Sequence, residues 1–568
     1  MPDLLAWLLA AAIGPALAPA FAGGAEPRSS VVAGGTLVAA LGPLLLAEVW
    51  ARRRRRETRA GRLLTLYPYS AAIAAAASLA VGRLPAWWSA RHPDAGLALE
   101  AAVTQTPALL AVVAALLGEQ RLFAADGRFV PPRLAERVRL ALAPLAVPVV
   151  LAGVFDLVLR VEPLRVALES YEAAEVAAFV VLGALAILAL PTIVRVLLPT
   201  RDLPRGELRD VFEAIASRFG VRIRSFRVLD TGDSIANAAL VGFGVRRMIL
   251  VTDRLLRRHP PDELVAVVGH ELGHAAARHD RLFILFVVAL GSVALAIPPE
   301  TASAIGPSWS VAAAGVALLV VLRFAFGPIS RRCEHEADLY GVAAVGSAAP
   351  LVGALERIAG PVGRPRSGWR HPPIDARARF LREATEDPVA ARRPARQLRR
   401  VRAVLLAVTA ISLTAASIRM ASRLPEERVS AALRSGHYET AAALAESAGP
   451  ALEDWRSLAR VAAATNVRDP RALRDRAVDA LTRGSIDEAA RFWRLAALRG
   501  ARRSDALLAD ALERCASGDA AGGREILSGA AAFAWRDPLL APHLATAIDG
   551  RGASAPMLDS PPEHPDHR

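Results

Sequence analysis

Apolar positions in this chain run in long blocks, and polar positions gather between them. Nine blocks stand out, at residues 4–21, 31–50, 63–81, 97–117, 140–159, 176–198, 282–297, 311–329 and 401–418. A bilayer core of about 30 Å is crossed by about 20 apolar residues in a helix, so each block predicts a membrane span. Small residues such as Ala71 and Ala77 suit close helix contact in lipid, and Pro144, Pro148 and Pro191 are tolerated there when neighbours satisfy the freed carbonyls. The first block resembles a signal peptide at Ala20-Phe21-Ala22. Its leading segment carries Asp3 and no arginine, so a retained anchor is the expectation.

Beyond the ninth block the pattern changes. From about residue 424 to 549 the chain is polar, alanine-rich and helical in period. Gly436, Gly484 and Gly518 each open a small-residue turn ahead of an amphipathic stretch. The interval of 34 residues from Gly484 to Gly518 fits a tetratricopeptide-like repeat, whereas the 48 residues from Gly436 to Gly484 do not. A repeat array and a plain helical bundle are both open readings. Residues 551–568, rich in Pro, His, Asp and Ser, read as a disordered end.

Composition sharpens this picture. Apolar residues make up 53% of the 568, and mean hydropathy is +0.32, which excludes both a disordered chain and an ordinary soluble globule. The 69 basic residues are all arginine and outnumber 55 acidic ones, for a net charge of +14. These arginines cluster beside apolar blocks, at Arg52–Arg56, Arg59 and Arg62 and again at Arg121, Arg128, Arg133, Arg137 and Arg139, which marks membrane orientation and not nucleic-acid binding. An arginine-rich, cytoplasmic side then holds the N-terminus, residues 199–281 and residues 330–400, and the tail after Ile418 lies outside. The lysine-free, alanine-rich composition fits a bacterial coding habit, so a bacterial inner membrane is expected. Two cysteines, Cys333 and Cys515, are too few for a disulfide framework.

The chemistry begins in one helical segment that carries His270-Glu271-Leu272-Gly273-His274. Histidines four apart share a helical face and can converge on one ion, while Glu271, about 100° round the helix, can reach a water without ligating. Catalytic zinc takes three protein ligands, so a third is needed. Glu334, in Ser330-Arg-Arg-Cys-Glu334-His-Glu336-Ala-Asp338, follows two apolar blocks that return the chain to the same membrane side. Asp338 lies one turn beyond it, where a carboxylate can hold a ligating histidine's other N–H. His335 and Glu336 read as facing elsewhere, Cys333 as a bystander, and His279 and Asp280 as a polar cap. Asp156, Glu175 and Arg195, in or near spans, are either functional intramembrane charges or interior and snorkelling groups.

His-Glu-x-x-His, a membrane hairpin, Ser-Arg-x-x-Glu-x-x-x-Asp and then His371-Pro372 with Arg377 resemble the integral-membrane zinc metallopeptidases that include HtpX and the type I CAAX prenyl endopeptidases. The resemblance covers about residues 201–381. It implies one zinc ion held by His270, His274 and Glu334, Glu271 as general base and Asp338 behind the ligands. It also implies His371 and Arg377 near the bound peptide, and a strand at Asn237-Ala238 lining the substrate. The expected fold class is mainly α: a membrane bundle (1–198), a cytoplasmic zincin-like α+β catalytic domain (199–400) with a two-span hairpin (282–329), a ninth span (401–418) and a C-terminal helical domain (419–550). The expected function is a metalloendopeptidase acting on membrane polypeptides in quality control or processing, with the bilayer as surroundings and a protein partner at the tail. The alternative is a silent membrane scaffold.

Overall fold

The computed structural model describes residues 29–54, 69–82, 84–124, 149–233, 235–298, 301, 317–318, 320–363, 371–500, 502–528 and 540–549. The block at 4–21, parts of those at 63–81, 140–159 and 311–329, Ser234 and the end at 551–568 lie outside the described residues. The described part is mainly helical.

The membrane bundle begins with α1 (Ser29–Arg54), α2 (Tyr69–Gly82), α3 (Leu84–Arg91) and α4 (Leu97–Ala124). Helices α1, α2 and α4 pack on one another through alanines such as Ala39, Ala75 and Ala111, all buried. Then come α5 (Val149–Leu159), α6 (Glu162–Ser170) and α7 (Glu172–Leu197). Asp156 on α5 accepts from the backbone N–H groups of Leu97 and Ala98, both at 2.9 Å. It therefore caps α4 from a neighbouring helix, which accounts for this carboxylate. Among the described residues five helices are long and apolar enough to cross a bilayer: α1, α4, α7 and two introduced below.

The catalytic-domain candidate opens with a four-stranded sheet ordered β1-β2-β4-β3, from β1 (Thr200–Asp202), β2 (Ser225–Leu229), β3 (Ala238–Val241) and β4 (Met248–Thr252). Strands β2 and β4 are parallel, and the outer pairs are antiparallel. Every residue of β4 is buried, as befits its Met-Ile-Leu-Val run, and β3 is an edge. Helices α8 (Glu207–Arg218) and α10 (Pro261–Ala276) cover the sheet, with α9 (Asp253–Arg258) between them in sequence. Their core joins Phe212, Phe226, Ile249, Leu255, Val268 and Leu272. Each such side chain contributes on the order of 1.5–3 kcal/mol by burial.

Helix α11 (His279–Ala296), long and apolar enough to cross a bilayer, leaves this domain, and a π turn at Leu322–Phe326 leads into α12 (Gly327–Val345). Helices α13 (Ala349–Gly363) and α14 (Ile374–Glu386) pack beside it, and α15 (Pro388–Arg434) is one helix of 47 residues. The span expected at 401–418 lies within this helix, which continues unbroken on both sides of it. Leu282, Phe286, Ile329, Cys333 and Leu398 lock α11, α12 and α15 together.

The tail comprises α16 (Tyr438–Ser447), α17 (Glu453–Thr465), α18 (Pro470–Thr482), α19 (Ile486–Gly500), α20 (Arg503–Ala516), α21 (Ala520–Ser528) and α22 (Ala541–Asp549). Gly436, Gly484 and Gly518 all have positive φ, at 76°, 77° and 91°, and each closes one helix just before the next begins. That left-handed turn is open to glycine without steric cost, which gives the three segments their common look. Leu433, Tyr438, Leu473, Phe492, Trp493 and Leu512 form a single core.

Candidate metal centre

Helix α10 starts with Pro261 in its first turn and Asp262 and Glu263 beside the N-terminal dipole. Buried Glu263 lies 2.8 Å from His259 Nδ1 and accepts from Arg357 Nε on α13 at 3.0 Å, which fixes the helix from its first turn. Further along, α10 meets α12 almost backbone to backbone. A Cβ on Gly269 would stand 2.5 Å from Ala344 Cβ, and one on Gly273 would stand 2.7 Å from Tyr340 Cβ.

This crossing brings His270 and His274 to Glu334, across the sequence gap spanned by α11. Ligand atoms of the three lie within 4.8 Å of one another. His270 Nε2 is 3.7 Å from Glu334 Oε2, and His274 Nε2 is 3.8 Å from Glu334 Oε1. Burial, helped by the charge of His270, lowers the His274 pKa to about 3 and so keeps this imidazole neutral. Burial pushes Glu334 up, but hydrogen bonding to His371 and the charges of His270, His371 and Arg377 outweigh it and hold the carboxylate ionised. One neutral imidazole, an anionic carboxylate and a second imidazole backed by another carboxylate form a donor set that suits zinc.

Asp338 is fully buried and lies 2.9 Å from His270 Nδ1, on the side away from Glu334. Burial lowers the His270 pKa, and the hydrogen bond and charge of Asp338 reverse the sign and raise it. Arg377, on α14, grips Asp338 through Nε at 2.8 Å and through a second contact from Nη2. It is buried. Its fork is committed to Asp338, and Nη1 lies 3.8 Å from Glu334 Oε2. His371 is different: its side chain is 57% exposed, with Nδ1 3.1 Å from Glu334 Oε2.

Glu271 accepts from the backbone N–H of Leu240 on β3 at 3.1 Å. Burial raises its pKa, and the charge of Glu334 adds to this. Asn237 precedes β3, its N–H donating to Thr252 Oγ1 at 2.9 Å and its carbonyl accepting from Thr252 N at 2.9 Å. Ala238 begins the strand, buried and paired with Val251. The edge of β3 not bonded to β4 therefore passes Glu271.

His279, expected as a polar cap, and Glu336, expected to face elsewhere, belong to this cluster. Arg278 has φ 58° and ψ 41°, a left-handed residue that breaks α10 from α11. The break turns His279 back, so that its Nδ1 lies 2.9 Å from His274 Nδ1. His279 Nε2 in turn lies 2.9 Å from Glu336 Oε2. A spacing of five does not share a helical face, so helical periodicity gave no sign of this contact. Asp280, grouped with His279 as a cap, is paired with Arg247 at 2.5 Å.

A mixed sheet with its edge strand beside the helix of His270 and His274, and a glutamate brought to them from a second helix, make a site that could hold a metal ion. Residues 202–385 match the model for Peptidase family M48. The chain is 38% identical over 80 residues to a CAAX prenyl protease 1 homolog of Arabidopsis thaliana, covering 14% of this chain and 19% of that protein. It is 32% identical over 186 residues to a Protease HtpX homolog of Pyrobaculum calidifontis, covering 30% and 52%. The chain thus spans at most about half the length of these relatives. The crystal structure of S. mikatae Ste24p aligns over 63% of this chain and 99% of its own, with 16% identity and a TM-score of 0.38.

Proposed function

We propose that this chain is a membrane-embedded, zinc-dependent endopeptidase that cuts membrane or membrane-associated polypeptides at the cytoplasmic face, in processing or quality control. The observation that carries the reading is the meeting of His270, His274 and Glu334 within 4.8 Å, with Glu271 facing the open edge of β3. His270, His274 and Glu334 would hold one zinc ion. Zinc, when bound, acidifies a water molecule and polarises a carbonyl oxygen.

The chain's own groups do the rest. An extended peptide pairs with the free edge of β3, where backbone bonding gives affinity with little demand on sequence. The Leu240 N–H, which donates to Glu271 in the free protein, becomes a donor to that peptide. Glu271 then takes the proton of the attacking water and passes it to the departing amine nitrogen, a role suited to its raised pKa. His371, exposed beside Glu334, stands where a peptide carbonyl would arrive and can help orient it. Arg377 acts from behind by fixing Asp338 and through it His270. The centre sits at the roots of α11 and α12, so bonds near the bilayer surface are the accessible ones. The tail, remote from the centre, is free to take a protein partner.

The test compares purified wild type with Glu271→Gln on an unfolded membrane-protein substrate, with zinc content measured in both. Cleavage by the wild type, reduced by about 10²–10⁴-fold in Glu271→Gln with zinc retained, supports the reading. Zinc in both proteins and cleavage by neither favours the scaffold. Absence of zinc from the wild type removes the metal centre.

A further inference from the structure

We propose that His279 and Glu336 are positioning residues of the metal centre, which hold His274 in the tautomer and ring orientation that present Nε2 to the ion. The proposal rests on the reading of His270, His274 and Glu334 as ligands.

Glu336, as a carboxylate, only accepts, so the 2.9 Å contact to His279 Nε2 requires a hydrogen on that nitrogen. A neutral His279 with its hydrogen on Nε2 has a bare Nδ1, which is an acceptor. The 2.9 Å contact between His279 Nδ1 and His274 Nδ1 then requires His274 Nδ1 to donate. His274 Nε2 is left with a free lone pair, and it is the nitrogen 3.8 Å from Glu334. The side chain of His279 is fully buried and that of Glu336 is 16% exposed, so water competes weakly for these contacts.

The second ligand shows the same plan in shorter form. His270 turns Nε2 to Glu334, and its Nδ1 is held from behind by Asp338 at 2.9 Å. Helix α12 therefore supplies three carboxylates with three tasks. Glu334 faces the ion, Asp338 backs His270 directly, and Glu336 backs His274 through His279. The left-handed turn at Arg278 gives His279 its place in this line, because a continuous helix would carry residue 279 off the face that bears His274.

The experiment uses the full-length protein in detergent and measures zinc affinity by chelator competition, together with the visible spectrum of the cobalt-substituted protein. His279→Phe keeps the ring and removes both nitrogens. We expect it to weaken zinc binding by about 10–100-fold and to change the cobalt spectrum. His279→Asn, which can set an amide oxygen near the position of Nδ1, should recover most of the affinity, and Glu336→Leu should weaken binding by about tenfold. Glu336 is partly exposed, so its variant decides the matter if His279→Phe fails to fold. Folded His279→Phe or Glu336→Leu protein with wild-type zinc affinity and an unchanged cobalt spectrum overturns the proposal. A wild type that binds no zinc overturns the metal reading beneath it.

Discussion

Asp253 shows how one side chain sets the approach to β3. It is 3% exposed and accepts from Thr231 N at 3.0 Å, Thr231 Oγ1 at 2.6 Å and Asp233 N at 2.9 Å, with Arg257 at 2.7 Å. These bonds pin the loop that ends in Asn237 to the first residue of α9. Burial pushes the carboxyl up, but the hydrogen bonds outweigh it and hold the pKa at about 2, below its ordinary 3.8. That difference corresponds to on the order of 2 kcal/mol. Because the folded value is the lower one, this stabilisation is complete above about pH 4 and is lost as pH falls through about 2. Urea unfolding of wild type and Asp253→Asn in detergent should therefore differ by on the order of 2 kcal/mol at pH 7, and the gap should close in acid. A gap that stays constant from pH 7 to pH 2 would show that charge on Asp253 does not hold the loop.

At the scale of elements, the decisive event is the crossing of α10 and α12. Gly269 and Gly273 each precede a histidine, and both face Tyr340 or Ala344 so closely that a methyl group does not fit. Without that approach Glu334 could not reach both imidazoles, since helix axes separate by several ångström when side chains intervene. Gly269→Ala is therefore expected to reduce zinc affinity by about tenfold or more and to lower the melting temperature, the effect of overpacking being about 1–3 kcal/mol. Gly291→Ala on α11, where nothing lies within 4 Å, is the matched control. Equal zinc affinity in both variants would mean that the crossing has slack. Much of this centre was legible in the sequence, because the spacing of His270, His274, Glu334 and Asp338 follows helical geometry and each face is local. The line through His279 was not, because it depends on a left-handed arginine at 278, a conformation that tertiary contacts impose and no local propensity announces. Arg377 was placed near the site from its motif, yet its fork on Asp338 arises from the packing of α14 and lies beyond any pattern in the sequence.

For the whole molecule, α15 joins the candidate metal centre to the tail. Near its start Gln397 accepts from Arg332 at 2.8 Å, and Arg402 donates to the carbonyl of Ala277, where the metal helix ends. Seventeen residues later Arg419 pairs with Glu172 at the start of α7 and donates to the carbonyl of Leu295 at the far end of α11. At 1.5 Å per residue the two arginines are about 26 Å apart along the helix, close to the thickness of a hydrocarbon core. Beyond Arg419 the tail is fastened to the same end of the bundle, by Arg434 to Glu169 at 2.5 Å and by Ser504 to Asp94 at 2.7 Å. If α15 crosses a bilayer between Arg402 and Arg419, as we propose, the metal centre and the tail stand on opposite faces of it. With the centre cytoplasmic, as the arginine distribution implies, a cysteine at exposed Arg471 should react with an impermeant maleimide added to intact spheroplasts, and one at exposed Glu386 only after permeabilisation. Both variants are made with Cys515 replaced by serine, and Cys333 is buried and left in place. The reverse pattern would invert the orientation but preserve the crossing. Labelling of both sites from one side would mean that α15 does not traverse the bilayer.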